Sequence, residues 1–118
     1  HNQAGLSLVI EQILMQDFSK LYLILGFVND KDVESLLKLF PQNAEFYFTR
    51  ADIPRSMLPK QLMAIASRIG INGKGFNSVQ EAYKTAIANA GPKDMIFVGG
   101  STFVSGDLIA YQTDNLQE

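Results

Sequence analysis

Leu21-Tyr22-Leu23-Ile24-Leu25-Gly26 is an unbroken apolar run that begins after Lys20 and gives way to Asn29-Asp30-Lys31-Asp32. It is far shorter than a membrane span, and it lacks the alternation of a strand with one wet face. It reads as a strand covered on both sides. Met95-Ile96-Phe97-Val98 has the same character and leads into Gly99-Gly100-Ser101, while Ala44-Glu45-Phe46-Tyr47-Phe48 reads as a further strand. Strands with no wet face require helices above and below them.

The intervening segments supply those helices. Leu6, Val9, Ile10, Ile13 and Leu14 fall at helical spacing, which predicts a helix over about residues 3–17. Val33, Leu36, Leu37 and Phe40 give a second, stopped by Pro41. Pro59 suits a first helical turn, Leu62, Ile65, Ala66 and Ile69 form its buried stripe, and Gly70 closes it. Ser78 and Glu81 have capping-box spacing ahead of Val79, Ala82, Tyr83, Ala86, Ile87 and Ala90, and Gly91-Pro92 ends that helix. Asn72-Gly73-Lys74-Gly75-Phe76 reads as a loop with a short strand, and a last helical stretch is expected from Ser101 to about Tyr111.

Strands alternating with amphipathic helices imply an α/β fold, a three-layer Rossmann-like, mostly parallel sheet with helices on both faces. The first unit shows only its helix, so the first strand is expected to be missing and the chain to be a piece of a larger protein. Residues 1–111 read as one domain and 112–118 as a polar tail.

Composition removes whole classes of function. A length of 118 residues with 47% apolar content is enough for a genuine core. With no cysteine, disulfides, thiolate metal sites and cysteine nucleophiles are excluded. One histidine leaves no His-based metal cluster, so no metal ligands are expected. A net charge of −2 without a basic stripe argues against nucleic acid and anionic membrane as partners. No apolar run approaches the roughly 20 residues of a membrane span and no signal peptide pattern stands at the start, so the expected location is cytoplasmic.

The common nucleotide fingerprints are missing. Gly73-Lys74-Gly75 suggests a phosphate loop, but Arg68 and Gly75 stand where that motif needs glycine and a hydroxyl residue. The first strand turn has Gly26 alone, not a Gly-x-Gly-x-x-Gly, and no Gly-x-Ser-x-Gly elbow exists.

Two turns remain. Asp30-Lys31-Asp32 follows a strand and opens a helix, which fits a plain N-cap and equally a lysine held to meet a substrate carboxylate. Gly99-Gly100-Ser101-Thr102 fits a capped strand-to-helix connection, or a backbone cradle in which Ser101 and nearby amides bind a carboxylate. Arg55, after Pro54, is either a surface arginine or a further anion contact. If the sheet is parallel, Lys31 and Ser101 face one crevice at its carboxyl edge, with Asp30 and Thr102 nearby.

As an ordered set these turns resemble a known family. His1-Asn2-x-Ala4-Gly5 opening a helix, Leu25-Gly26 leading to Asp30-Lys31-Asp32, Pro54-Arg55, and Gly100-Ser101-x-Phe103-Val104 are similar to the C-terminal domain of folylpolyglutamate synthase/dihydrofolate synthase, in the Mur ligase superfamily. The resemblance covers about residues 1–111. It departs at Gln3, where the family has proline, and in lacking the Asp-Gly-Ala that precedes the histidine.

What the resemblance implies is an ATP-dependent ligase that phosphorylates the carboxylate of folate or dihydropteroate and joins it to L-glutamate. ATP and magnesium would be bound mainly by a preceding N-terminal ATPase domain, which this domain closes upon. Lys31 and Ser101 match glutamate contacts, His1 and Asn2 the ATP-proximal pair, with Asp30, Arg55 and Thr102 in support. Alone, the chain is expected to be inactive. The rival readings are a non-catalytic α/β partner-binding domain or a receiver-like domain; the second lacks an acceptor aspartate after Phe48, where Thr49-Arg50 stands.

Overall fold

The computed structural model describes residues 3–29, 32–50, 54–100 and 109–112. Its elements run α1 (Gln3–Leu14), β1 (Leu21–Leu25), α2 (Val33–Leu37), β2 (Glu45–Phe48), α3 (Pro59–Arg68), β3 (Lys74–Gly75), α4 (Val79–Asn89), β4 (Met95–Gly99) and β5 (Ile109–Gln112). The strands form one sheet in the order β3-β2-β1-β4-β5, with β1 parallel to β2 and β4, and β2 parallel to β3.

Alternation along each buried strand sorts side chains between two cores. Leu21, Leu23 and Leu25 of β1, Phe46 and Phe48 of β2, and Met95 and Phe97 of β4 join Leu6, Ile10 and Ile13 of α1, Leu36 and Leu37 of α2, and Leu62 and Ala66 of α3. Tyr22, Ile24, Tyr47, Ile96 and Val98 point the other way, onto Ala82 and Ala86 of α4. Those two alanines let α4 lie close to the sheet, where larger residues would hold it off. The three layers and the mostly parallel sheet are those expected from the sequence.

The helices end earlier than their apolar stripes. α1 stops at Leu14, because Phe18 packs against the core and draws the chain away from the helix axis. α2 stops at Leu37, after which Leu39 and Phe40 donate to Leu36 and Leu37 in a tighter turn that still buries Phe40. Ser78 caps α4 by accepting from Glu81 N–H at 3.1 Å. A cap absent from the sequence reading starts α3, where the Gln61 side chain reaches back to accept from Leu58 N–H at 2.9 Å.

One expectation is overturned. The last stretch is not helical to Tyr111: residues 109–112 form β5, antiparallel to β4 with Met95 opposite Gln112 and Val98 opposite Ile109. A short apolar run does not distinguish helix from strand by periodicity. The open edge of β4 decides it, since an antiparallel strand satisfies backbone groups that β4 would otherwise expose. Among the described residues, no helix is long and apolar enough to cross a membrane.

At the amino edge, Asp94 is nearly buried and its carboxylate accepts from Lys20 N–H at 3.0 Å and Gly91 N–H at 2.7 Å. It ties the turn before β4 to the start of β1. Asp94→Asn turns an amide NH2 toward one of these donors and is expected to cost about 1–3 kcal/mol. Urea unfolding measures it; an unchanged midpoint would mean that the backbone bonds Ser19–Lys93 and Met95–Lys20 hold this edge unaided.

Candidate functional site

The strand order places a topological switch at the centre of the sheet. The chain builds β1, β2 and β3 outward on one side, then returns to lay β4 on the other side of β1. Ligands of open parallel sheets settle at such a point, beyond the carboxyl ends of the two strands. Here those ends lie side by side, with Leu25 opposite Gly99.

The two turns that leave this point touch through their backbones. Gly26 N–H donates to Gly99 O at 3.2 Å. Gly100 has φ 118°, and a Cβ at that position would overlap the carbonyl oxygen of Gly26. Two successive requirements, a left-handed backbone and no side chain, therefore fall on Gly100. The close approach holds the exit of the β1 turn against the exit of the β4 turn.

Beyond Gly26 the path is fixed by burial and by the neighbouring loop. Phe27 is fully buried, which anchors the chain over the core. Asn29 N–H then donates to Arg55 O at 2.9 Å, Met57 N–H donates to Phe27 O at 2.8 Å, and Val28 and Ser56 form an antiparallel bridge. The loop after β2 thus folds back along the turn after β1. Thr49, at the end of β2, is buried, and both its N–H, at 2.8 Å, and its hydroxyl, at 3.3 Å, donate to Leu25 O.

Of the residues singled out from sequence, Arg55 is described, exposed and beside the β1 turn. His1, Asn2, Asp30, Lys31, Ser101 and Thr102 lie outside the described residues. Their flanks bring the β1 and β4 turns out of the sheet on the same edge, at adjacent strand ends. Asp32, the last residue of the acidic–lysine turn, is an N-cap: its carboxylate accepts from Ser35 Oγ at 2.7 Å and from Ser35 N–H at 3.3 Å. These hydrogen bonds, side chain first, hold its carboxyl below the ordinary aspartate range.

Sequence reasoning missed three features of this edge. The backward fold of residues 55–57 and the buried Thr49 carry no local signal. A groove of about 330 Å³ lies two strands away, between the start of α3 and the end of β3. Leu58, Pro59, Lys60, Met63, Phe76 and Asn77 line it. The failed phosphate loop belongs to the sheet: Gly73 leaves room for the Phe48 ring, and Lys74-Gly75 pairs with β2.

Among the described residues, no group of three or more His, Asp or Glu side chains is arranged to hold a metal ion.

The family profile described as Mur ligase, glutamate ligase domain matches residues 1–102. A probable bifunctional folylpolyglutamate synthase/dihydropteroate synthase from Haloferax volcanii is 30% identical over 107 residues, 88% of this chain and 12% of that protein. Among solved structures, E. coli FolC in complex with ADP superimposes with TM-score 0.74 at 25% identity, over 86% of this chain and 24% of that one. A bifunctional folylpolyglutamate synthase/dihydrofolate synthase with Mn, AMPPNP and L-glutamate bound gives TM-score 0.74 at 20% identity, over 90% of this chain and 25% of that one. The chain thus spans about an eighth to a quarter of the length of these relatives.

Two measurements check this geometry. Gly100→Ala forces a Cβ onto Gly26 O in a left-handed backbone and is expected to destabilise the chain by about 1–3 kcal/mol; thermal unfolding that matches the parent sequence would refute the contact. Because the carboxyl of Asp32 is lowered on folding, its contribution is present above the unfolded carboxylate range and lost as pH falls through the lowered value. Asp32→Ala is accordingly expected to flatten the acid limb of stability against pH, and a limb of unchanged slope would count against the Ser35 cap.

Proposed function

The chain belongs to the Mur ligase glutamate ligase domain family, and from that premise we propose that it is the C-terminal domain of an ATP-dependent ligase that adds L-glutamate to folate and, in a bifunctional parent, to dihydropteroate. The observation that carries this reading is the paired exit of the β1 and β4 turns, held together by Gly26 and Gly100 at the switch point of a family-matched sheet. Such a crevice is where a small anionic substrate is met by backbone amides and one or two charged side chains.

In this reading Lys31 and Ser101 receive glutamate, with Asp30 and Thr102 in support, and His1 and Asn2 face the nucleotide. The reaction passes through an acyl phosphate, which water would destroy. A domain that closes over it excludes water and presents the glutamate amine at the reacting carbon. ATP and magnesium are held in the parent by the preceding domain, so this chain alone is inactive. The relatives with bound ADP, and with bound Mn, AMPPNP and L-glutamate, support a parent enzyme that uses nucleotide, metal and glutamate.

Steady-state kinetics of the full-length enzyme test the assignment. Lys31→Ala and Ser101→Ala each remove a charge-assisted contact worth about 1.5–3 kcal/mol. The KM for glutamate is expected to rise about ten- to a hundred-fold, with the KM for ATP changing far less. Unchanged glutamate dependence in both variants would reduce the two turns to helix caps.

A further inference from the structure

The groove of about 330 Å³ between the start of α3 and the end of β3 opens on the carboxyl edge of the sheet, since β3 runs parallel to β2 and α3 starts from the loop that leaves β2. One of its walls breaks a local rule. Leu58 is the N-cap of α3, a position where Ser, Thr, Asp or Asn would accept a backbone N–H and leucine cannot. Its side chain is 38% exposed and belongs to neither buried core. An apolar residue that neither caps its helix nor fills a core is a mark of a binding wall.

Pro59 and Met63 continue that wall. Both are seated on Gly75, where a Cβ would stand 2.8 Å from Met63 Sδ and 3.2 Å from Pro59 Cβ. The groove is therefore built by close contact of two regular elements, which holds its shape before any ligand arrives. Lys60 gives the lining its single charge; it is exposed and makes no ion pair among the described residues. Across from it stands Asn77, exposed, with an amide that both donates and accepts. An apolar wall, one cation and one amide, with no acidic residue in the lining, match a planar apolar group joined through an amide to a carboxylate.

We propose that this groove binds the aroyl-glutamyl end of a folate acceptor, with the aromatic ring on Leu58, Pro59 and Met63, the amide beside Asn77 and the α-carboxylate on Lys60. The proposal rests on the glutamate ligase reading above. In that reading the nucleotide is met by the preceding domain with His1 and Asn2, which leaves the acceptor as the aromatic substrate for this edge. Distance favours the same occupant. The groove lies two strands from the switch point at β1, roughly 10 Å at the usual strand spacing. A ring joined through an amide to one glutamyl residue spans a distance of that order to its γ-carboxylate. The ring can thus lie in the groove while the reacting carboxylate meets glutamate at the β1–β4 turns. Dihydropteroate cannot do this, because its reacting carboxylate is on the ring itself.

Lys60→Gln, Lys60→Glu and Leu58→Ser in the full-length enzyme test the assignment. Serine caps a helix better than leucine, so Leu58→Ser is expected to unfold no lower than wild type. With folate as acceptor, each variant should raise the KM for the acceptor about ten-fold, Lys60→Glu the most, and leave the KM for glutamate and ATP within roughly two-fold of wild type. With dihydropteroate as acceptor the same variants should match wild type. Wild-type kinetics with folate, or equal losses with both acceptors, would overturn the proposal. A rise confined to the KM for ATP would overturn it by giving the groove to the nucleotide. So would a lower unfolding midpoint with every KM raised together, which would assign the groove to packing against another part of the parent. A wild type active on dihydropteroate alone would remove the groove's occupant and leave the ligase reading standing. One that ligates glutamate to neither acceptor would overturn the proposed function itself, a result distinct from an active wild type with unimpaired variants.

Discussion

The hydrogen bond from Gly26 N–H to Gly99 O joins the ends of two strands that the rest of the chain separates. It extends the β1–β4 ladder by one step past Leu25 opposite Gly99, into the region where the turns begin. The turns after β1 and β4 leave the sheet from this edge, so their positions are inherited from strand register rather than from the turns' own sequences. The register is in turn locked by burial: a one-residue slip of β1 would send Leu21, Leu23 and Leu25 to the α4 face and Tyr22 and Ile24 to the other. Core packing and site geometry are therefore one constraint, imposed through the backbone at Gly26 and Gly100.

Local patterns in the sequence determined most of the fold. The continuous apolar runs at Leu21–Leu25 and Met95–Val98 marked two-faced strands, and the Ser78–Glu81 spacing marked the start of α4. What escaped was set by partners distant in sequence. Residues 109–112 are a strand because β4 offers an open ladder, a fact that four residues do not contain. Arg55 meets Asn29 and Thr49 meets Leu25 only after the sheet has formed, so neither contact leaves a periodic trace. The Asp30-Lys31-Asp32 turn was open to two readings, and at Asp32 the capping reading holds through Ser35. At Gly100 the glycine answers a steric demand that the sequence marked only as a pair of glycines.

The two edges of the sheet are fastened in different ways, and the difference bears on function. At the amino edge a charged side chain adds to the backbone bonds Ser19–Lys93 and Met95–Lys20: the Asp94 carboxylate holds two backbone donors, and Lys20 pairs with Glu45 at 3.3 Å. At the carboxyl edge, backbone-to-backbone bonds join the loops at Gly26–Gly99, Asn29–Arg55 and Met57–Phe27, and the Thr49 hydroxyl adds a side-chain bond. A carboxylate committed to two structural N–H groups is not available to a ligand, and replacing it loosens the fold. Backbone fastening has no such conflict, since it is indifferent to which side chains the loops carry. An edge built in that way holds its loops firmly while leaving their charged residues to be chosen for chemistry. That separation of duties supports the proposed reading, in which the domain meets its ligand at the carboxyl ends of β1 and β4.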